Sequence, residues 1–293
     1  MRLVLGGVRG STPAPGPEFI RYGGHTSAVG VLADGDDVPR LILDAGTGLR
    51  PLSQLFGDAP FRGTILLGHL HWDHTHGLPF FPAGGRPDAD VTLLMPEQGD
   101  AETVLEDMLS PPHFPITPRE LGGSWTFRGI DEGDHEIEGY RVRAREIPHK
   151  GGRTFGYRVS DGAVTIAYLS DHSPISYGPG PHGMGPYHEA ALELIDGVDL
   201  MIHDAQYTKA DFGPRAHYGH STVEYAVGLA EEAGAAGLLL FHHDPSRTDD
   251  ELDAIMNALA ASSVDIEAAV EGAILQITPA MRNTSEDLRK AES

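Results

Sequence analysis

The chain of 293 residues contains no cysteine. A disulfide framework, thiol catalysis and a Cys-ligated metal site are therefore excluded. Lysine is scarce as well. It supplies three of the 21 basic residues, which stand against 43 acidic ones and leave a formal charge of −22 with histidine neutral. A surface that negative repels polyanions, because holding phosphates takes a Lys/Arg footprint. Tight nonspecific binding to nucleic acid or to an anionic membrane is thus disfavoured, although a local cationic pocket remains compatible with the composition. No stretch approaches the ~18 uninterrupted apolar residues of a membrane span, and the N-terminus lacks an apolar segment of secretory-signal length. A cytoplasmic protein is the expectation.

With 40% hydrophobic and 22% charged residues, the composition suits a compact fold with a large core. Apolar runs of strand type fall at 2–8, 27–33, 41–44, 64–67, 91–95, 140–147, 154–159, 164–169, 198–202, 237–241 and 264–270. Helix-like segments lie at 49–56, 98–109, 187–195, 222–233 and 249–261. Strands interspersed with helices, without a long linker, predict one α/β layered domain over residues 1–280 and a flexible polar tail at 281–293. Gly/Pro-rich stretches at 12–17, 82–87, 110–118 and 177–186 read as long loops.

The 16 histidines are the anomaly, and their clustering carries the chemistry. His69-Leu70-His71-Trp72-Asp73-His74 follows the apolar run Thr64-Ile-Leu-Leu67. Packing three imidazoles in a core would leave ring nitrogens to satisfy for no apolar benefit. Imidazole and carboxylate donors suit Zn, Mn or Fe. Alternation sends His69 and His71 one way, while the following turn lets Asp73 and His74 approach a second point. Further along, Ser221-Thr-Val-Glu224 matches a capping box, which predicts a helix from Thr222 with its unpaired N–H groups beside His220, a suitable place for a phosphate oxygen.

The H-x-H-x-D-H motif resembles the signature of the metallo-β-lactamase superfamily. The resemblance extends over nearly the whole chain, toward the phosphodiesterase branch that includes ribonuclease Z and cyclic-phosphate phosphodiesterases. Supporting segments are Gly7-Val-Arg-Gly-Ser11, Arg21-Tyr-Gly-Gly-His-Thr-Ser27, Leu43-Asp-Ala-Gly-Thr-Gly48, Ile147-Pro-His149, Leu169-Ser-Asp171, Ile202-His-Asp-Ala205, Gly219-His-Ser-Thr222 and Leu240-Phe-His242. The resemblance implies a four-layer αββα sandwich and a site for two divalent metal ions, Zn or Mn. His69, His71 and His149 would hold one ion, Asp73, His74 and His242 the other, and Asp171 would bridge them. His242 is preferred to its neighbour His243, which with Asp244 is read as supporting the site or turning the chain. His203, Asp204 and Asp44 would orient metal-bound histidines. His76, His135, His182, His188 and His217 read as exposed or structural.

The implied activity is metal-dependent phosphodiester hydrolysis through a hydroxide shared by the two ions, with Asp73 accepting a proton and His220 serving the leaving oxygen. A small cyclic phosphodiester, above all a cyclic nucleotide, is the expected substrate. A ribonuclease Z-type tRNA 3′-processing activity is the first alternative. That branch commonly carries a long tRNA-gripping insertion where this chain has only 21 residues between His149 and Asp171. A lactonase or thioesterase on the same scaffold is a further alternative. By resemblance the protein is also expected to be a homodimer, with the segment around 173–186 as a rim or lid.

Overall fold

A computed structural model describes residues 1–174, 186–259 and 262–280. The expected loop at 177–185, His182 and the tail at 281–293 lie outside the described residues.

The first half of the chain builds one sheet. Its strands are β1 (Arg2–Gly7), β2 (Ala28–Leu32), β3 (Leu41–Leu43), β4 (Arg62–Leu66), β5 (Asp90–Pro96) and β6 (Ser124–Ile130), and β14 (Ile274–Gln276) returns to pair with β1. Two residues after β6 the chain enters a second sheet. It consists of β7 (Gly133–Ile137), β8 (Tyr140–Glu146), β9 (Phe155–Ser160), β10 (Thr165–Leu169), β11 (Leu200–Asp204), β12 (Gly237–Phe241) and β13 (Asp265–Ala268). Each sheet opens as an antiparallel meander and continues in parallel, from β3 onward in the first and from β10 onward in the second.

Strand alternation decides which side chains meet. Leu3 and Leu5 of β1, Val29 and Val31 of β2, and Leu41 and Leu43 of β3 face the second sheet, where they pack with Tyr157, Ile166, Tyr168, Leu239 and Phe241. Their neighbours Val4, Ala28 and Ile42 point outward, onto helix α1 (Leu49–Leu52) and α3 (Ala101–Glu106). On the far side, Ala167, Leu169, Leu238 and Leu240 meet α4 (Glu189–Ile195), α6 (Val223–Glu232) and α7 (Asp249–Ala258). Three apolar interfaces between four layers make the expected αββα sandwich. Strands such as Leu238–Phe241 read as unbroken apolar runs because both of their faces are covered.

Every strand expected from the sequence has its counterpart. The structure adds β6, β7 and β14, whose mixed or polar character follows from their places as outer or short strands with one side poorly covered. Two short helices also escape the apolar pattern: α2 (Trp72–Thr75), inside the His-rich motif, and α5 (Lys209–Arg215). Among the described residues no helix is long and apolar enough to cross a membrane.

Candidate metal centre

The chemistry-bearing residues gather at one rim. His69 to His74 follow β4, His149 follows β8, Asp171 follows β10, Asp204 ends β11 and His242 follows β12. In parallel stretches the carboxyl ends of strands open onto a common edge, which is where such sheets place ligands. His69, His71 and His149 form one group, and Asp73, His74, Asp171 and His242 form another, with the donor atoms of each within 4.8 Å of one another; Asp204 and His220 stand equally close to Asp171 and His242. Each group draws on both sheets. The division of His69 and His71 from Asp73 and His74 follows the alternation in the sequence.

Asp171 stands between the groups. Its Oδ1 lies 3.0 Å from His74 Nε2 and 3.3 Å from His242 Nε2, and its Oδ2 lies 3.6 Å from His149 Nε2 and 3.8 Å from His69 Nε2. Yet neither oxygen has a hydrogen-bonding partner, nor has either nitrogen of His69 or Nε2 of His74, and all are buried. The reason lies behind the rings. His74 donates Nδ1–H to Asp44 at 2.7 Å, His149 to the carbonyl of Gly219 at 2.7 Å and His242 to Gln206 Oε1 at 2.9 Å. With those protons committed, Nε2 of His74 faces Asp73 and Asp171 unpartnered, Nε2 of His242 meets Asp73 Oδ2 at 3.1 Å, and Nε2 of His149 meets His71 Nδ1 at 3.2 Å. Lone pairs facing lone pairs in a dry interior are costly unless something positive lies between them. The donor set and its orphaned atoms therefore fit divalent cations of the imidazole- and carboxylate-binding kind.

Electrostatics show the same frustration. Burial depresses the pKa of His69, helped by its neighbour His74, and brings His149 down to about 4. Burial also disfavours the charged forms of Asp73 and Asp171, but the histidines around them, His74 and His242 foremost, hold both carboxyls well below the usual range. His74 is opposed by burial too, and is nevertheless raised well above its ordinary value by Asp73, Asp171 and Asp44.

Asp44, read from the sequence as an orienting residue, has that geometry. Held at φ 60°, it accepts from Gly68 N at 2.7 Å, Tyr168 OH at 2.7 Å and Ser170 Oγ at 3.1 Å besides His74. Asp204 holds His220 through Nδ1 at 3.0 Å and takes the backbone N–H of Gln206 and of His172. Burial opposes protonation of His220, but Asp204, then Asp171 and Asp73, raise its pKa to about 9. His203 instead donates to the carbonyl of Asp204 and meets His172 at 2.8 Å, away from both groups. His243 reaches the carbonyl of Ala269 at 2.9 Å, so His242 alone of the pair joins the site. Asp244 turns the chain, accepting from Ser246 and Arg215. His76 and His217 lie at the surface, and His135 and His188 are half-buried.

The capping expectation is corrected. Thr222, not Ser221, is the N-cap of α6 and accepts from Tyr225 N at 3.1 Å, while Glu224 accepts from Lys209 N. The N–H of Val223 goes to the carbonyl of Tyr207 at 2.9 Å. A bridge between Tyr207 and Thr222 thus occupies the helix start, and the N–H groups of Val223 and Tyr225, expected beside His220 for a phosphate, have protein partners.

Sequence reasoning missed Gln206 and Ser11. Gln206 fixes His242 and donates to Ser11 Oγ and Tyr207 OH, and Ser11 donates its backbone N–H to Asp73 Oδ2 at 2.6 Å. The cleft above the two groups, about 570 Å³, is lined by Ser11, Leu70, His71, Trp72, Asp73, Asp171, Tyr207, Tyr218 and His220.

Comparison with known proteins agrees with this architecture. A family model described as a beta-lactamase superfamily domain matches residues 39–243. A ribonuclease Z of Bacillus licheniformis is 28% identical over 226 residues, 61% of this chain and 69% of that protein. A crystal structure described as a new diphosphatase from the PhnP family has a TM-score of 0.66 at 20% identity, covering 96% of this chain and 99% of the other. Human tRNase Z, short form, has a TM-score of 0.63 at 19% identity, covering 94% and 99%.

Proposed function

Because the chain belongs to the metallo-β-lactamase superfamily, we propose that its two donor groups hold two divalent cations, zinc or manganese, and that it hydrolyses a small cyclic phosphodiester such as a cyclic nucleotide. The phosphodiesterase branch is the setting for this reading, and the relatives named above support a metal-dependent hydrolase. One observation carries it: both oxygens of buried Asp171 lack a hydrogen-bonding partner and face different histidine groups.

Divalent cations in such a site acidify water to a pKa near ~7 and neutralise charge on phosphoryl oxygens. The protein's own residues supply the rest. Against its burial, His74 and His242 hold the Asp73 carboxyl well below the usual range, and its Oδ2 is steadied by the N–H of Ser11, so the carboxylate is placed to accept a proton at the cleft floor. His220 keeps Nδ1 on Asp204, so Nε2 is the atom free to offer a proton to the departing oxygen. A homodimer is kept as part of this reading.

The second reading, cleavage of precursor tRNA, rests on the 28% identity to a ribonuclease Z. Against it, the 21 residues between His149 and Asp171 are taken up largely by the antiparallel pair β9–β10, with no arm, and among the described residues no Lys or Arg lines the cleft. Protein loaded with zinc or manganese is to be incubated with adenosine 2′,3′- and 3′,5′-cyclic phosphates, bis(p-nitrophenyl) phosphate and precursor tRNA. Turnover of a cyclic phosphate is expected. Cleavage of precursor tRNA alone would reverse the order of the two readings.

A further inference from the structure

The cleft is built for more than a phosphodiester. Trp72 sits inside the His-rich motif between half-buried His71 and buried Asp73, yet is 67% exposed. Its indole stacks on the ring of His76 at 5.5 Å and 15°. One turn of helix thus braces the indole and leaves the rest of it at the cleft wall, which Trp72 lines. Tyr218, 53% exposed, lines the same cleft and leans on His217 at 4.3 Å. Leu70 and Tyr207 add apolar surface between the walls and the floor, where Asp73, Asp171 and His220 stand.

Flat rings at a cleft rim offer a face on which a flat ligand can stack. Bare phosphoryl oxygens need little of about 570 Å³, a volume in the range of pockets that enclose a whole drug-sized molecule. Among the described residues the cleft lining contains no lysine or arginine, and the nearby Arg215, stacked on Tyr207, is paired with Asp244, so the lining offers no lysine or arginine charge to a further phosphate.

From this we infer that Trp72, together with Tyr218, selects phosphodiesters that carry one flat aromatic group, a nucleobase or aryl ring, and no second phosphate. The inference rests on the phosphodiesterase reading and names the substrate feature that the site prefers. Removing a stacking platform weakens binding of a base about 10- to 100-fold.

Two measurements separate this inference from the reading beneath it. In steady-state assays of the metal-loaded enzyme, Trp72→Ala should raise KM for adenosine 2′,3′-cyclic phosphate about 10- to 100-fold with kcat little changed. It should leave glycerol 1,2-cyclic phosphate unaffected, and Trp72→Phe should restore most of the loss. Independently of turnover, Trp125→Phe leaves Trp72 as the single indole of the chain. Its fluorescence should be quenched saturably by adenosine 5′-monophosphate and not by ribose 5-phosphate. Equal loss on both cyclic substrates, or equal quenching by both monophosphates, overturns the inference while the hydrolytic reading stands. Selective quenching in an enzyme that hydrolyses neither cyclic phosphate has the opposite meaning: the aromatic preference holds and the cyclic-phosphate reading falls.

Discussion

The carboxylate of Asp44 accepts the Nδ1–H of His74 at 2.7 Å, and so fixes which nitrogen of that ring looks into the site. Asp44 also takes protons from Gly68, Tyr168 and Ser170, leaving it no room to turn. Substitution Asp44→Asn replaces one acceptor oxygen by a donor amide amid these donors. Metal affinity should fall about 10- to 100-fold, as when such an orienting partner is lost. Competition with a chromophoric chelator measures it, and unchanged affinity would contradict the orienting role.

Asp171 and His220 should separate cleanly. Asp171→Ala is expected to empty both groups, because each loses the carboxylate that faces it. His220→Ala should keep metal content near wild type and lower kcat about 10²- to 10⁴-fold, the usual value of a positioned proton donor. Elemental analysis beside turnover distinguishes the two. Loss of both metals in His220→Ala would make that ring a ligand, a possibility its place beside Asp171, Asp204 and His242 leaves open to test. Removing the Asp204 charge lowers the His220 pKa from about 9, so Asp204→Asn should move the alkaline limb of the rate profile to lower pH.

Gly10 passes so near His242 that an added Cβ would lie 2.3 Å from its Nδ1 and 2.8 Å from Gln206 Oε1. Gly10→Ala should therefore displace His242 and Gln206 together while the other group keeps its geometry. Metal stoichiometry is expected to fall from two toward one with the fold intact by circular dichroism. Two tightly bound ions in the variant would be inconsistent with His242 as a ligand.

Acid stability follows from buried rings outside the donor groups, His172, His203 and His243, all lowered by burial. Burial lowers His203 to about 4 and His243 to about 3 from an ordinary 6.5. An unfolded chain takes up these protons first, so their contribution is complete above pH 6.5 and is lost as pH falls toward those lower values. Each ring costs about 1.4 kcal/mol per pH unit in that window. His220 has the opposite sign: raised to about 9, it stabilises fully below 6.5 and loses that contribution as pH rises through 9. Urea unfolding of metal-free protein should therefore weaken toward both acid and alkaline pH, and His243→Gln should flatten the acid side. An acid limb identical in wild type and His243→Gln would contradict this.

Much of the fold and of the site was legible because its residues repeat a local pattern. Leu238–Phe241 announces a covered strand by composition alone, and three histidines with an aspartate in six positions have no use in a core. What was illegible depends on distant approach. Gln206 and Ser11 are ordinary polar residues until a separation of 195 positions closes to 3.2 Å. The capping motif at Ser221 misled for a related reason. Its Glu224 is taken by Lys209, and Tyr207 fixes where α6 begins.

Four of the seven site donors hang from the first sheet and three from the second, and each group mixes the two. Any ion seated there clamps the two layers across their seam, as a disulfide might in a chain that had cysteine. A chelator would then do more than silence chemistry: it would unfasten the halves at the open rim, leaving only their greasy facing surfaces to keep them together.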